Sequence, residues 1–287
     1  MQIFQTISDT RAASRAARHG GRRLGLVPTM GALHEGHLSL IRAARSQCDA
    51  VAASIFVNPL QFGPNEDLAK YPRDFDRDCE LLKKEGVDFL FAPSVKEMYP
   101  AGAVTHVTVA GLSDKLCGKS RPGHFRGVTT VVSKLFHIVE PDVAFFGQKD
   151  AAQLAIIRRM VRDLNFGVEI EACPIVRELD GLAMSSRNAY LNAEERMAAL
   201  VLYRALRRVE QLFDQGERNA ATLAATGKRV LMEEKSARLD YLDIVDPDGL
   251  DSLAEVKITA LAAVAGFVGT TRLIDNVVLS STKKDFR

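Results

Sequence analysis

Four short aliphatic runs, at residues 24–27, 51–57, 87–91 and 143–146, are separated by segments whose apolar residues recur at helical spacing. That alternation leaves the first two-thirds of the chain few architectures. Runs that are apolar at nearly every position must be buried on both faces, which a parallel sheet covered by helices provides. A fifth run, at 168–172, alternates polar and apolar residues and is expected nearer a sheet edge. Between the runs, Phe75, Cys79 and Leu82, and then Leu154, Ile157, Val161 and Leu164, fall three and four apart and mark the buried faces of covering helices. The alternating stretch 105–109, just before Gly111, is expected to be a small inserted strand. The predicted fold class is therefore α/β, built on a doubly wound parallel sheet.

After Leu191 the pattern changes. Leu202, Leu206, Val209 and Phe213 share one face of a long helix, a second helical stretch precedes Ser236, and strand-like runs follow at 241–245 and 258–268, with an Asp246-Pro247-Asp248-Gly249 turn between them. This predicts a smaller α+β domain. With the boundary set near residues 174–180, the domains are 1–176 and 177–287, the second closing over the active site.

Composition narrows the partners. Thirty-eight Lys+Arg against 36 Asp+Glu leave a net charge of +2, so no general attraction to nucleic acid or a membrane surface is expected, and an anionic ligand must meet a local cluster. No apolar run reaches the ~18–20 residues of a membrane span, and the N-terminus lacks a secretory-type apolar stretch. Cys48, Cys79, Cys117 and Cys173 are widely spaced and form no C-x-x-C pair, which fits a reducing compartment and a cytoplasmic location. The Arg-rich opening from Arg11 to Arg23 reads as a surface helix packed on the first strand rather than as a transit peptide.

Four segments carry chemistry. The first is Pro28-Thr29-Met30-Gly31-Ala32-Leu33-His34-Glu35-Gly36-His37, between a buried strand and an amphipathic helix. Ligands of doubly wound sheets bind outside the carboxyl ends of strands, where unpaired N–H groups of a helix start face an anion. Two imidazoles three residues apart can add hydrogen bonds to phosphate oxygens. Zinc is a poor alternative, because H-E-G-H is not the helical H-E-x-x-H pattern. The second segment, Asn58-Pro59-Leu60-Gln61-Phe62-Gly63, opens a Pro- and Gly-rich loop in which the Gln61 amide suits a small polar acid. In the third, Gly147-Gln148-Lys149-Asp150, a lysine stands at a helix start, where helix electrostatics disfavour it but an ATP phosphate would welcome it; Gln153 follows one turn later. The fourth, Met184-Ser185-Ser186-Arg187, puts two hydroxyls and a guanidinium in a loop that can close on triphosphate oxygens. Gly118-Lys119-Ser120 only superficially matches a P-loop, since Ser113 stands where its first glycine belongs and Pro122 follows where a helix should start.

Taken in order, these motifs resemble those of the pantothenate synthetases, a Rossmann-like family of the His-x-Gly-His nucleotidyltransferase type. The similarity extends to Arg121-Pro122-Gly123-His124-Phe125-Arg126-Gly127-Val128 and to Arg272-Leu273-Ile274-Asp275-Asn276. It implies a ligase that activates pantoate with ATP as pantoyl-adenylate and then joins it to β-alanine. ATP contacts are implied at Met30 to His37, at Gly147 to Asp150, at Val176 and at Met184 to Arg187. Gln61 and Gln153 are implied for pantoate, and Gln61 also for β-alanine. His34, His37, Lys149 and Arg187 become the expected catalytic residues. Mg2+ is expected with ATP, with Asp76 and Asp78 as undecided carboxylate candidates, and a homodimer is implied. The competing readings are an adenylyl- or cytidylyltransferase of the same fold, which would keep the nucleotide in its product, and a noncatalytic nucleotide-binding regulator.

Overall fold

A computed structural model of the chain describes residues 1–64 and 66–281. They divide into two compact units. The first comprises Met1–Asp114, Arg121–Gln148 and Ile156–Val176; the second takes Lys115–Ser120, Lys149–Ala155 and the residues from Arg177 onward.

The first unit is a six-stranded sheet of β1 (Gln2–Phe4), β2 (Leu24–Thr29), β3 (Ala50–Ile55), β4 (Phe89–Phe91), β5 (Val143–Gly147) and β6 (Glu169–Cys173), ordered β1-β4-β3-β2-β5-β6. Every pairing is parallel. The four aliphatic runs supply β2 to β5, and the alternating fifth run is β6, at the edge as expected. β1 has only three residues, too few to show a period in sequence. The chain steps outward from β2 to β3 and β4, then returns to place β5 on the other side of β2. The loops leaving the carboxyl ends of β2 and β5 therefore diverge at a switch point, where such sheets bind ligands.

Helices Glu35–Gln47 and Phe75–Lys84 share a core with Val27, Leu33, Val51, Leu90 and Phe145. Phe75 is nevertheless 41% exposed, while Asp78 and Leu82, four apart, turn inward. The helix has rotated its stripe to bring a carboxylate inside, for a reason found in the site. In helix Ala151–Asp163, Leu154 and Ile157 are buried as predicted, but Leu164 lies past the last turn and is exposed.

Residues 105–109 do not form the inserted strand expected of them. The Val107 amide donates to Thr130 Oγ1 (3.0 Å), and its carbonyl accepts from Thr129 Oγ1 (2.6 Å), so helix His124–Val139 supplies the partners a neighbouring strand would have given.

The second unit holds β7 (Ala237–Val245), β8 (Thr259–Val268) and β9 (Thr271–Ser280) in one antiparallel sheet with β8 central. Helix Leu200–Asp214 buries Leu202, Leu206, Val209 and Phe213, the four residues read as its inner face, and joins a core with Leu242, Ile244, Ala262 and Val264. Each such aliphatic or aromatic side chain contributes about 1.5–3 kcal/mol on burial. Asp246 Oδ1 accepts from the amides of Asp248 (3.0 Å) and Gly249 (2.5 Å), closing the predicted turn. Among the described residues no helix is long and apolar enough to cross a membrane.

One glycine in the first unit is fixed by close approach. A Cβ at Gly127 would lie 2.2 Å from the Leu60 carbonyl oxygen and 2.6 Å from the Gln61 nitrogen, so helix His124–Val139 can touch the backbone of the 59–61 turn only because that atom is missing. In an ordinary helix Gly→Ala gains about 0.5–1 kcal/mol. Here Gly127→Ala is expected to lose ~1–3 kcal/mol, as overpacking does, read from the urea unfolding midpoint. A stabilised variant contradicts the close packing.

Candidate active site

The loop after β2 depends on a buried acid. Gly31 (φ +83°) and Ala32 (φ +52°) are both left-handed, a conformation that turns successive amides inward as an anion-binding concavity. The anion is the protein's own. Asp78, 1% exposed, accepts from the Ala32 amide at Oδ2 and the Leu33 amide at Oδ1, each at 2.8 Å, and Arg77 Nη1 donates to the Leu33 carbonyl at 3.1 Å. Burial pushes the Asp78 carboxyl above its ordinary range, against the pull of those two amides. The inward rotation of helix Phe75–Lys84 serves this contact.

The two histidines that follow cap each other's chain. His34, the N-cap of helix Glu35–Gln47, accepts at Nδ1 from the Gly36 amide (3.1 Å), and His37 Nδ1 accepts from the His34 amide (3.3 Å). This is a capping box made from imidazoles. A ring nitrogen that accepts carries no proton, so the reciprocal caps place the proton of each neutral ring on Nε2. The ring centroids are 4.1 Å apart at 43°. Unpaired amides are expected at this helix start, and the structure pairs most of them. The amides of Gly31, Ala32, Leu33, His34, Gly36, His37 and Leu38 are all satisfied within the protein. In each imidazole the group left to donate is Nε2–H. Glu35, exposed between the histidines, pairs with Arg42.

Met30 and Gln61 are brought together in the same unit: Gln61 Nε2 lies 2.9 Å from Met30 Sδ. The orientation of the Gln61 amide is fixed by a residue that sequence reasoning names only as part of a motif. Asn58, 1% exposed, accepts at Oδ1 from the Leu60 amide (3.3 Å) and Tyr99 hydroxyl (2.8 Å), so its Nδ2 must donate, and it does, to the Gly127 carbonyl (3.0 Å) and Gln61 Oε1 (3.1 Å). With its oxygen taken, Gln61 presents N–H. The only sequence signal for this role is Asn before Pro at a strand end.

Gly147 ends β5 opposite Cys173, and Gln148 begins the turn Gln148–Asp150. In the second unit, Lys149 Nζ stands 3.9 Å from Asp150 Oδ2 with its side chain 19% exposed, and its carbonyl accepts from Asn276 Nδ2 at 3.0 Å. Gln153 is half-buried on the first turn of helix Ala151–Asp163, and Val176 is half-buried beyond the end of β6.

The segment Met184 to Arg187 is half-buried, with Ser185 Oγ accepting from the Arg187 amide (3.3 Å) as the cap of the turn Ser186–Tyr190. It is tied at both ends. Upstream, Arg177 bridges to Ala183, grips Asp275 with two hydrogen bonds (2.7 and 3.0 Å) and stacks on Tyr203 at 4.5 Å. Downstream, Asn188 donates to Glu178 (3.2 Å) and the Ala183 carbonyl (3.1 Å), while Arg196 holds Glu178 and Asp180. The loop read from sequence as able to close is thus four residues, Met184 to Arg187, between anchors.

Among the described residues no group of three or more His, Cys, Asp or Glu side chains is arranged to hold a metal ion. Of the two carboxylates considered, Asp78 is committed to the Ala32 and Leu33 amides, and Asp76 stands exposed on the first turn of its helix.

The family model described as pantoate-beta-alanine ligase matches residues 2–278. The chain is 60% identical over 281 residues to the pantothenate synthetase of Koribacter versatilis, covering 98% of this chain and 97% of that one. The crystal structure of pantothenate synthetase from Thermus thermophilus superposes with a TM-score of 0.92 at 49% identity, covering 96% and 99% of the two chains. That of the pantoate-beta-alanine ligase from Francisella tularensis, complexed with beta-gamma ATP and beta-alanine, gives 0.79 at 35% identity over 97% of each chain.

The buried carboxylate can be tested apart from any activity. Asp78→Asn keeps the shape but turns an N–H donor toward one of the two amides, leaving that buried pair without an acceptor. A loss of ~1–3 kcal/mol in urea unfolding is expected; an unchanged midpoint means that the loop is held by something else.

Proposed function

Since the chain belongs to the pantoate-β-alanine ligase family, we infer that it makes pantothenate, joining pantoate to β-alanine with conversion of ATP to AMP and pyrophosphate. The observation that carries the site reading is the imidazole pair just beyond the carboxyl end of β2, fixed in place by the caps that each ring makes through Nδ1.

In the first step a pantoate carboxylate oxygen attacks the α-phosphorus of ATP in line. The bond to the bridging oxygen breaks, leaving pantoyl-adenylate and pyrophosphate. Charge grows on the departing pyrophosphate, and His34 and His37 are assigned to donate to its oxygens. Lys149 and Arg187 are assigned to the same triphosphate, with Ser185 and Ser186 as hydroxyl donors and Met30 to Leu33, Glu35, Gly36, Gly147, Gln148, Asp150, Val176 and Met184 as the surrounding ATP contacts. Gln61, whose amide presents N–H, is assigned to oxygens of pantoate, and Gln153 to the same acid. In the second step the neutral amine of β-alanine, beside Gln61, attacks the acyl carbon, loses its proton and expels AMP. Exclusion of water protects the mixed anhydride meanwhile. Magnesium is proposed to come with the nucleotide, held by phosphate oxygens and water, as this small cation commonly is. For the chain as a whole we assign domains 1–176 and 177–287 and a cytoplasmic homodimer, supported by the change of pattern at the boundary, by free thiols at all four cysteines and by the family resemblance.

The test is pyrophosphate release with pantoate and ATP alone, followed by addition of β-alanine, with free AMP appearing only after the addition. Retention of the nucleotide in the product selects the nucleotidyltransferase reading instead. In the same assay His37→Ala should lower pyrophosphate release ~10²-fold or more. Because His37 also caps, a stability loss of about 0.5–2 kcal/mol accompanies it. Near-normal release by the folded variant removes His37 from the chemistry.

Arg187 distinguishes the two steps. If it grips the triphosphate, Arg187→Ala slows adenylate formation while leaving aminolysis of preformed pantoyl-adenylate comparatively untouched, as single-turnover measurements of each half-reaction would read. Equal slowing of both steps would place the loop on the acyl pocket.

A further inference from the structure

Gln61 is held from two directions. Its side chain is oriented by Asn58; its main-chain carbonyl, at the end of the turn Pro59–Gln61, is held by a different set of residues. That oxygen accepts from His124 Nδ1 at 2.8 Å and from Arg121 Nη2 at 3.3 Å. Since a carbonyl can only accept, the ring proton of His124 sits on Nδ1, and Nε2 is left as an acceptor that Arg121 Nη1 fills at 3.0 Å. The rest of the guanidinium fork is engaged by Glu66, through Nε to Oε1 (2.7 Å) and Nη2 to Oε2 (2.5 Å). The side chains of Arg121 and Glu66 are only 14% and 25% exposed.

The three residues form an ordered chain, Glu66 to Arg121 to His124, ending on one carbonyl. Burial works against the Glu66 charge, but the hydrogen bonds and charge of Arg121 outweigh it and hold the carboxyl below its usual range. The pair is thus ionised at neutral pH and its charges cancel locally, so Arg121 is not offered to a substrate anion. His124 is itself placed by a helix start: it is the first residue of helix His124–Val139, after Gly123 at φ +83°. One turn later Gly127 lets the 59–61 backbone close against that helix.

The geometry points to Glu66, Arg121 and His124 as positioning residues for the pantoate half of the reaction, which fix the Gln61 carbonyl and thereby aim its side-chain N–H at the acid. The inference rests on the assignment of Gln61 to pantoate. It gives the Arg121-to-Gly127 motif a task that neither ATP nor catalysis requires of it.

The experiment measures KM for pantoate and for ATP, with kcat, in Arg121→Lys, Glu66→Gln, His124→Leu, His124→Asn and Gln61→Ala, and in the double variant of Arg121→Lys with Gln61→Ala, each checked for a folded thermal transition. Arg121→Lys, Glu66→Gln and His124→Leu should raise the pantoate KM, by ~10-fold for loss of a charge-assisted hydrogen bond, with the ATP KM unchanged. His124→Asn, whose amide can donate where Nδ1 did, should recover most of the loss. In the Gln61→Ala background, Arg121→Lys should add nothing further to the pantoate KM, because it acts through the missing side chain. An unchanged pantoate KM in Arg121→Lys, or the same increase with and without Gln61, overturns the clamp while sparing the assignment of Gln61. An unchanged pantoate KM in Gln61→Ala overturns that assignment and the clamp with it.

Discussion

The loop after β2 is organised around an internal anion. Asp78 reaches from helix Phe75–Lys84 to two amides that a left-handed pair, Gly31 and Ala32, has turned toward it. A carboxylate in that position does from within the protein what a phosphate does in many nucleotide-binding loops: it satisfies converging N–H groups and makes a strained turn the stable one. The start of helix Glu35–Gln47 is set by this turn, and with it the directions of His34 and His37. The order of these residues in the chain, turn, cap, imidazole, is also the order of mechanical dependence.

The polarity of these side chains then follows from the backbone and side-chain groups that hold them. The backbone uses the Nδ1 atoms of both histidines, which leaves them as donors on Nε2; Leu60 and Gly127 orient Asn58, which in turn makes Gln61 a donor. Each of these side chains could take either role and has been committed to donating, which is what an anionic triphosphate or carboxylate would require. The commitment is made by the protein itself, which is the condition under which a hydrogen bond can favour a transition state without reorganisation.

The sheet is legible in the sequence because strands buried on both faces are written as unbroken aliphatic runs, and the loop ends because their residues are unusual in composition. β1 escapes because three residues show no period, and residues 105–109 mislead because alternation does not reveal whether a partner strand or a pair of helix threonines will take the backbone hydrogen bonds. In the sequence Asp78 reads only as a possible metal ligand. Its spacing of four from Leu82 puts an acid on an apolar stripe, a sign of a buried partner that spacing alone does not name. Likewise, no local pattern connects Gln61 to His124, sixty-three positions away.

With most of its amides spent on Asp78 and on the helix caps, this loop differs from a P-loop, whose backbone N–H groups are kept for phosphate. Backbone cradles are redundant: nearly any residue supplies the same N–H, and exchanging one side chain leaves the grip in place. Here the donors left to side chains are particular rings and a particular amide, each supplied once. A grip built from such side chains would be lost through a single codon while the fold persists, so a population of such chains would accumulate silent, well-folded proteins more readily than one built on a backbone cradle.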